Sequence, residues 1–268
     1  PWIGIEQLLT NGETKLAKLL TQWIKDEFKN KTQKYANGLS ISCLLGLEEL
    51  TKLFLMDPFM KDDINARNED HPYIVTACQF YRKIQVSTKV KIVEALLQNH
   101  HDLNVNAVDF ERKSALHWSA VCGDVETMTK LLARNDINVN AIDTFGCTPL
   151  HNALFYSEKK NVYKISSMLL SHPNININAC GSFHTALTIA GYFGYTEVMS
   201  ALLKMPGINI YITNERNEDT AQILCLYHST LQHIKLLYSH VKEIVHKMFL
   251  GGLPFLHSVL EHDVAKNG

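Results

Sequence analysis

The chain has 268 residues, 46% of them hydrophobic and 20% charged, with a formal net charge of −1. That apolar content suits a well-packed fold of one or two domains. The near-zero charge argues against binding to a nucleic-acid backbone or an anionic membrane, and no apolar run reaches membrane-spanning length.

From the N-terminus, Ile3–Leu9 predict a short helix ended at Asn11-Gly12. Leu16, Leu19, Leu20, Trp23, Ile24 and Phe28 then line one side of a second helix that stops near Asn30. Residues 1–36 read as a helical cap. The basic stretch Lys25–Lys34 is interrupted by Asp26 and Glu27 and reads as a solvated helix face.

Two phrases then recur. The first is Leu103-Asn104-Val105-Asn106-Ala107, Ile137-Asn138-Val139-Asn140-Ala141 and Ile175-Asn176-Ile177-Asn178-Ala179, with degenerate copies at Ile64 and Ile208. The second is Ser114-Ala115-Leu116-His117, Thr148-Pro149-Leu150-His151 and Thr185-Ala186-Leu187-Thr188, with looser copies at Asn37, His71 and Thr220. Successive starts of the second phrase lie 34, 43, 34, 37 and 35 residues apart.

A period near 33 with a Thr-Pro-Leu-His phrase resembles the ankyrin-repeat family. The resemblance covers about Asn37–His240. It implies an all-α solenoid of about six helix-turn-helix units with short β-hairpin fingers, spanning residues 37–240. Residues 241–268 complete the chain as a C-terminal helical cap or half repeat.

The residues fit such a unit. Ser114 and Thr148 cap a helix N-terminus, and Pro149 takes the first helical position, where a missing N–H costs nothing. Leu116 and Leu150 point into the stack. The resemblance implies that His117 and His151 bond backbone in the neighbouring turns. Gly46, Gly123 and Gly194 mark the inter-helix turns. Val125, Met128, Leu131 and Leu132 form the apolar face of a second helix. Asp109, Asp143 and Gly146 fall where the family places the finger tip.

The second copy carries about eight extra residues, Phe80–Ser87, and the fourth about four, near Ser157–Lys160; both are expected in the inter-helix turn. The fifth has Thr188 in place of the motif His and a shortened finger around Gly181. The sixth has Gln222-Ile223 where Leu-His is expected. Its helices are still expected to pack, while the bonding of its finger departs from the pattern.

Chemical readings are weaker. Cys147 lies four positions before His151, and His184 falls in the next finger. A Cys-His hydrolase would need a thiolate beside an oriented imidazole. Cys147 and Cys180 are expected to be exposed on fingers, without a helix N-terminus to lower their pKa. The chain is therefore read as no enzyme. No cysteine pair has CxxC spacing, and His100, His101, His228, His233 and His240 lack completing carboxylates or thiols, so no metal or other cofactor is assigned. The six cysteines fall about one per unit, as isolated thiols in a reducing, cytoplasmic compartment.

The function expected from the resemblance is a monomeric scaffold that holds a protein partner on the concave and finger surface. The two residues before each inter-helix turn lie on that surface: Val121 and Cys122, then Phe155 and Tyr156, Tyr192 and Phe193, and Tyr227 and His228. Aromatic residues dominate interface energetics. Finger residues Phe110, Phe145 and Phe183 extend the surface. A groove over the fourth to sixth repeats, anchored by Tyr156 and Tyr192, is the expected site. The alternative is the targeting segment of a larger enzyme. Composition and irregular repeats also resemble secreted ankyrin effectors of intracellular bacteria, which act in a host cytosol.

Overall fold

Three of the first helices begin where the sequence places small hydroxyl residues. Ser114, Thr148 and Thr185 each hold extended backbone at a helix N-cap. In this computed structural model the described residues are 38–56, 72–79, 86–99, 103–157, 159–181 and 184–213, with 220, 223 and 236. The expected caps, residues 1–36 and 241–268, lie outside them. Contacts divide the chain into two compact units, Pro1–Asn176 and Ile177–Gly268.

The first unit holds eight of the described helices. They are α1 (Gly38–Leu45), α2 (Glu48–Leu55), α3 (Tyr73–Cys78), α4 (Val86–Asn99), α5 (Ala115–Cys122), α6 (Val125–Leu132), α7 (Pro149–Tyr156) and α8 (Lys159–Leu170). The first helix of each pair packs beside the next, in the order α1, α3, α5, α7. The second helices α2, α4, α6, α8 form a parallel row, and each pair also packs internally. Leu39, Ile74, Leu116 and Leu150 of the first row and Leu50, Leu96, Leu131 and Leu169 of the second are buried. Neighbour-to-neighbour packing of this kind gives a two-layer solenoid with one continuous core. In the second unit, α9 (Ala186–Tyr192) packs on α10 (Thr196–Leu203). Thr220 and Ile223 are helical and buried there.

The extra residues of the fourth copy do not swell the turn as expected, and in the second copy residues 80–85 of the insertion lie outside the described residues. Helix α4 has 14 residues and α8 has 12, against 8 in α6 and α10. In the fourth copy Lys159 and Lys160 of the insertion open α8, and in the second Val86 and Ser87 of the insertion open α4; a helical turn satisfies its own backbone groups and a long loop does not. The turn glycines are as read. Gly123 has φ 66, and a Cβ there would meet Ser157 Oγ at 2.8 Å and Asn161 Nδ2 at 2.9 Å, so the next repeat closes over it.

Two side-chain systems join consecutive repeats. The first is the motif histidine. The Ser114 N–H donates to His117 Nδ1 at 3.1 Å, so that nitrogen carries no proton, and the Ser114 hydroxyl 2.9 Å away also donates to it. Nε2 then carries the proton and donates to the Cys147 carbonyl of the next repeat at 3.1 Å. Burial pushes the His117 pKa below its ordinary 6.5, which keeps the ring neutral. His151 repeats the first half of this arrangement with Thr148. In the fifth copy a chain of hydroxyls replaces the ring: Thr185 Oγ1 lies 3.0 Å from Thr188 Oγ1, which lies 2.8 Å from Thr220 Oγ1.

The second system explains the Asn-x-Asn phrase. Asn106 Nδ2 donates to the Asp136 carbonyl at 2.7 Å, and its Oδ1 accepts the Asn138 N–H at 2.7 Å. Asn140 does the same to Asn174 (2.6 Å) and Asn176 (2.8 Å), and Asn178 to Gly207 and Asn209 (both 2.8 Å). The first Asn of the phrase turns its own backbone: Asn104 Oδ1 accepts the Asn106 N–H and Asn138 Oδ1 the Asn140 N–H.

A candidate protein-interaction face on fingers and first helices

The fingers are tighter than expected. Among the described residues they hold only isolated bridges, Val108 with Ser114 and Cys180 with Thr185, in place of hairpin ladders. Asp109 and Asp143 are not the tips. They are buried and fold the turns around themselves. Asp109 Oδ1 accepts the N–H groups of Glu111 and Lys113, both at 2.9 Å. Asp143 Oδ1 accepts those of Phe145 (2.8 Å) and Cys147 (2.9 Å). The tips are therefore Phe110–Arg112 and Thr144–Gly146. The Thr144 N–H donates to the Glu111 carbonyl at 2.9 Å and ties the two tips together.

Asp109 also fixes a residue that the sequence reading passed over. Its Oδ2 accepts Trp118 Nε1 at 2.8 Å and Gln79 Nε2 at 2.9 Å. Trp118 lies on α5 at the place that Asn152 takes on α7, where Asn152 Nδ2 donates to Asp143 Oδ2 at 3.3 Å. The Lys113 ammonium lies 5.1 Å from the Trp118 ring centroid and 5.8 Å from that of Tyr156, and 2.7 Å from Glu111 Oε2. One lysine thus joins the third and fourth repeats through two aromatic faces and a carboxylate. The signal in the sequence was Trp118 itself, an indole directly after the motif His, whose N–H needs a partner when half-buried.

Around this group, Phe110 (65% exposed), Phe145 (50%) and Tyr156 (59%) reach solvent. Phe155 is half-buried, as are Val121 and Cys122. In the second unit Tyr192 and Phe193 are both exposed and meet edge to face with centroids 5.1 Å apart; Phe193 also stacks on Tyr195 at 5.8 Å. Phe183, Tyr227 and His228 lie outside the described residues.

Cys147 corrects the expectation of an exposed finger thiol. It is buried, and burial with the Asp143 charge nearby pushes its pKa up to about 11. The Nδ1 of His151 is engaged by Thr148. A thiol held protonated and a His151 Nδ1 engaged by its own cap do not make an activated nucleophile pair. Cys180 is exposed as expected. Among the described residues no group of His, Cys, Asp and Glu is placed to hold a metal ion, and no helix is long and apolar enough to cross a membrane.

Stacked helix pairs, turn-like fingers and the cap histidine make up a helical-repeat fold of the ankyrin type. Residues 81–179 match the family profile for ankyrin repeats in three copies, and the chain carries ankyrin repeats in the ankyrin-repeat fold. Two solved structures show the likeness. The ankyrin repeat domain of Bcl-3, described as a unique member of the IkappaB protein family, superposes with a TM-score of 0.63 at 19% identity, over 87% of this chain and 96% of that one. The ankyrin repeat protein EF0377 gives 0.61 at 16% identity, over 75% of this chain and 96% of that one. No curated protein matches the sequence. Ankyrin repeats are, as a class, protein–protein interaction modules.

Proposed function

We propose that this chain is a scaffold that binds a protein partner on the finger and first-helix face of its third and fourth repeats. The observation that carries the reading is the Trp118–Lys113–Tyr156 group, flanked by exposed Phe110 and Phe145 on tied fingers. It is an apolar aromatic surface held rigid by hydrogen bonds from beneath, which is the composition and preorganisation of an interface hot spot. Tyr192 and Phe193 form a second such patch on the second unit. The array runs over residues 37–240 between helical caps, and the scaffold acts as a monomer. The buried thiols of Cys43, Cys78 and Cys147 support a reducing, cytoplasmic setting. Among the described residues none favours the targeting-segment or host-effector reading.

Hydrogen exchange of the chain with and without a peptide selected for binding tests this. Added protection is expected in residues 108–118 and 142–156. Protection confined to α4, α6 and α8 would place binding on the opposite row and end the proposal.

A further inference from the structure

We infer that Arg112 is the specificity residue of this face, and that it selects a protein segment carrying a carboxylate beside an apolar side chain. The inference rests on the docking reading above and adds the chemistry of the partner.

The backbone comes first. Arg112 has φ 58, and among the described residues it is the one non-glycine with positive φ. The corresponding place in the next finger is Gly146, with φ 69. A left-handed turn is strained for a residue with a Cβ and relaxed for glycine. Folding alone is better served by glycine here, so the side chain at this position is retained for something other than the turn.

Charge gives the second observation. The finger's own carboxylates are engaged. Asp109 is buried and accepts four donors, and Glu111 is paired with Lys113 at 2.7 Å. Asp143 is likewise buried and bonded by N–H groups. Arg112 is exposed, and no carboxylate among the described residues pairs with it. The uncompensated charge that this finger offers to solvent is therefore a guanidinium.

Its surroundings give the third. Phe110 stands two positions away and is more exposed than Phe145, which lies on the tip joined through Thr144. A guanidinium binds a carboxylate through two parallel N–H bonds, and neighbouring rings shield that pair from water. An apolar side chain next to the carboxylate can lie against the exposed phenylalanine rings. The partner that fits is an acidic-apolar peptide segment.

The test is selection of random linear peptides displayed on phage against the wild-type chain and the Arg112→Gly, Arg112→Glu and Phe110→Ala variants. Thermal melts verify that each variant folds; Arg112→Gly relaxes the turn and is expected to fold at least as well. Wild-type chain is expected to enrich Asp or Glu next to an apolar residue, and synthetic copies of those peptides should bind Arg112→Gly at least about tenfold more weakly. Arg112→Glu should enrich basic peptides instead. Peptides lost on Phe110→Ala but free of acidic enrichment overturn this inference and leave the docking face standing. Failure to enrich any peptide, or peptides indifferent to Phe110→Ala, overturns both. A single-stranded oligonucleotide that binds through Arg112 while acidic peptides do not would assign the guanidinium to phosphate and also overturn it.

Discussion

Trp118 donates its indole N–H to the Asp109 carboxylate at 2.8 Å, and that one bond joins the finger of the third repeat to its first helix. The same carboxylate folds the finger through the backbone N–H groups of Glu111 and Lys113. The side chain that shapes the turn thus also sets the plane of the ring on which Lys113 rests. Asp109→Asn keeps the shape and weakens every one of these bonds. We expect a loss of about 1–3 kcal/mol in denaturant melts, with a blue- or red-shifted Trp118 fluorescence as the ring is released. Unchanged stability and fluorescence would mean that the finger does not depend on this carboxylate.

The asparagine clamps make a separate prediction. Asn140 spans to the following turn through two bonds, and alanine removes both while leaving exposed backbone that water can reach. Asn140→Ala should therefore cost about 1–3 kcal/mol, near the net worth of two hydrogen bonds. Equal urea midpoints for the variant and the parent would show that the clamp adds nothing to repeat coupling.

Leu150 tests the register of the fourth repeat. It is 1% exposed between the helix rows. Truncation to alanine should cost about 2–5 kcal/mol. A variant within about 0.5 kcal/mol of the parent would place Leu150 outside the core.

The buried thiols and His117 give stability a dependence on pH with opposite signs at the two ends. Burial raises Cys43 and Cys78 from 9.0 to about 12. Their folded forms stay protonated where the unfolded thiols ionise, so this contribution is full below pH 9 and is lost as pH rises towards 12. His117 is lowered from 6.5, so its contribution is full above that pH and declines as pH falls below it. Thermal midpoints should fall on both sides of neutrality. His117→Gln should flatten the acid side, and an unchanged acid slope in that variant would remove His117 as its cause.

Arg112 predicts a trade between stability and binding. Arg112→Gly should raise stability by about 0.5–1 kcal/mol, as a strained left-handed residue is replaced by one that adopts the turn freely. A loss of stability would show that the arginine side chain supports the fold.

The repeat was legible because its residues act locally. Ser114, Thr148 and Pro149 announce helix starts, Gly123 announces a turn, and the spacing of Leu116 and Leu150 reports the stack. The bonding across repeats was less legible. Asn106 and Asn140 look like ordinary turn residues until the next turn lies against them 32 to 36 positions later. Asp109 and Asp143 were read as tips because the ankyrin resemblance places the finger tip there, and they are buried because backbone N–H groups close on them. Trp118 and Lys113 were missed for the same reason. Their partners, Asp109 and Tyr156, come from a finger and from another repeat, and only the fold brings them together. The fourth copy's insertion was located correctly in sequence, yet α8 took up Lys159 and Lys160 as added helix.

Calorimetric titration of a peptide selected by the wild-type chain, repeated with Tyr156→Ala and Tyr163→Ala, tests the central claim most directly. Tyr156 and Tyr163 are similarly exposed, at 59% and 50%, but Tyr156 ends a first helix over Lys113 and Tyr163 lies on the second-row helix α8. The account predicts that Tyr156→Ala weakens binding by at least about 1–2 kcal/mol and that Tyr163→Ala leaves it unchanged. Unchanged affinity for Tyr156→Ala together with a loss for Tyr163→Ala would contradict it.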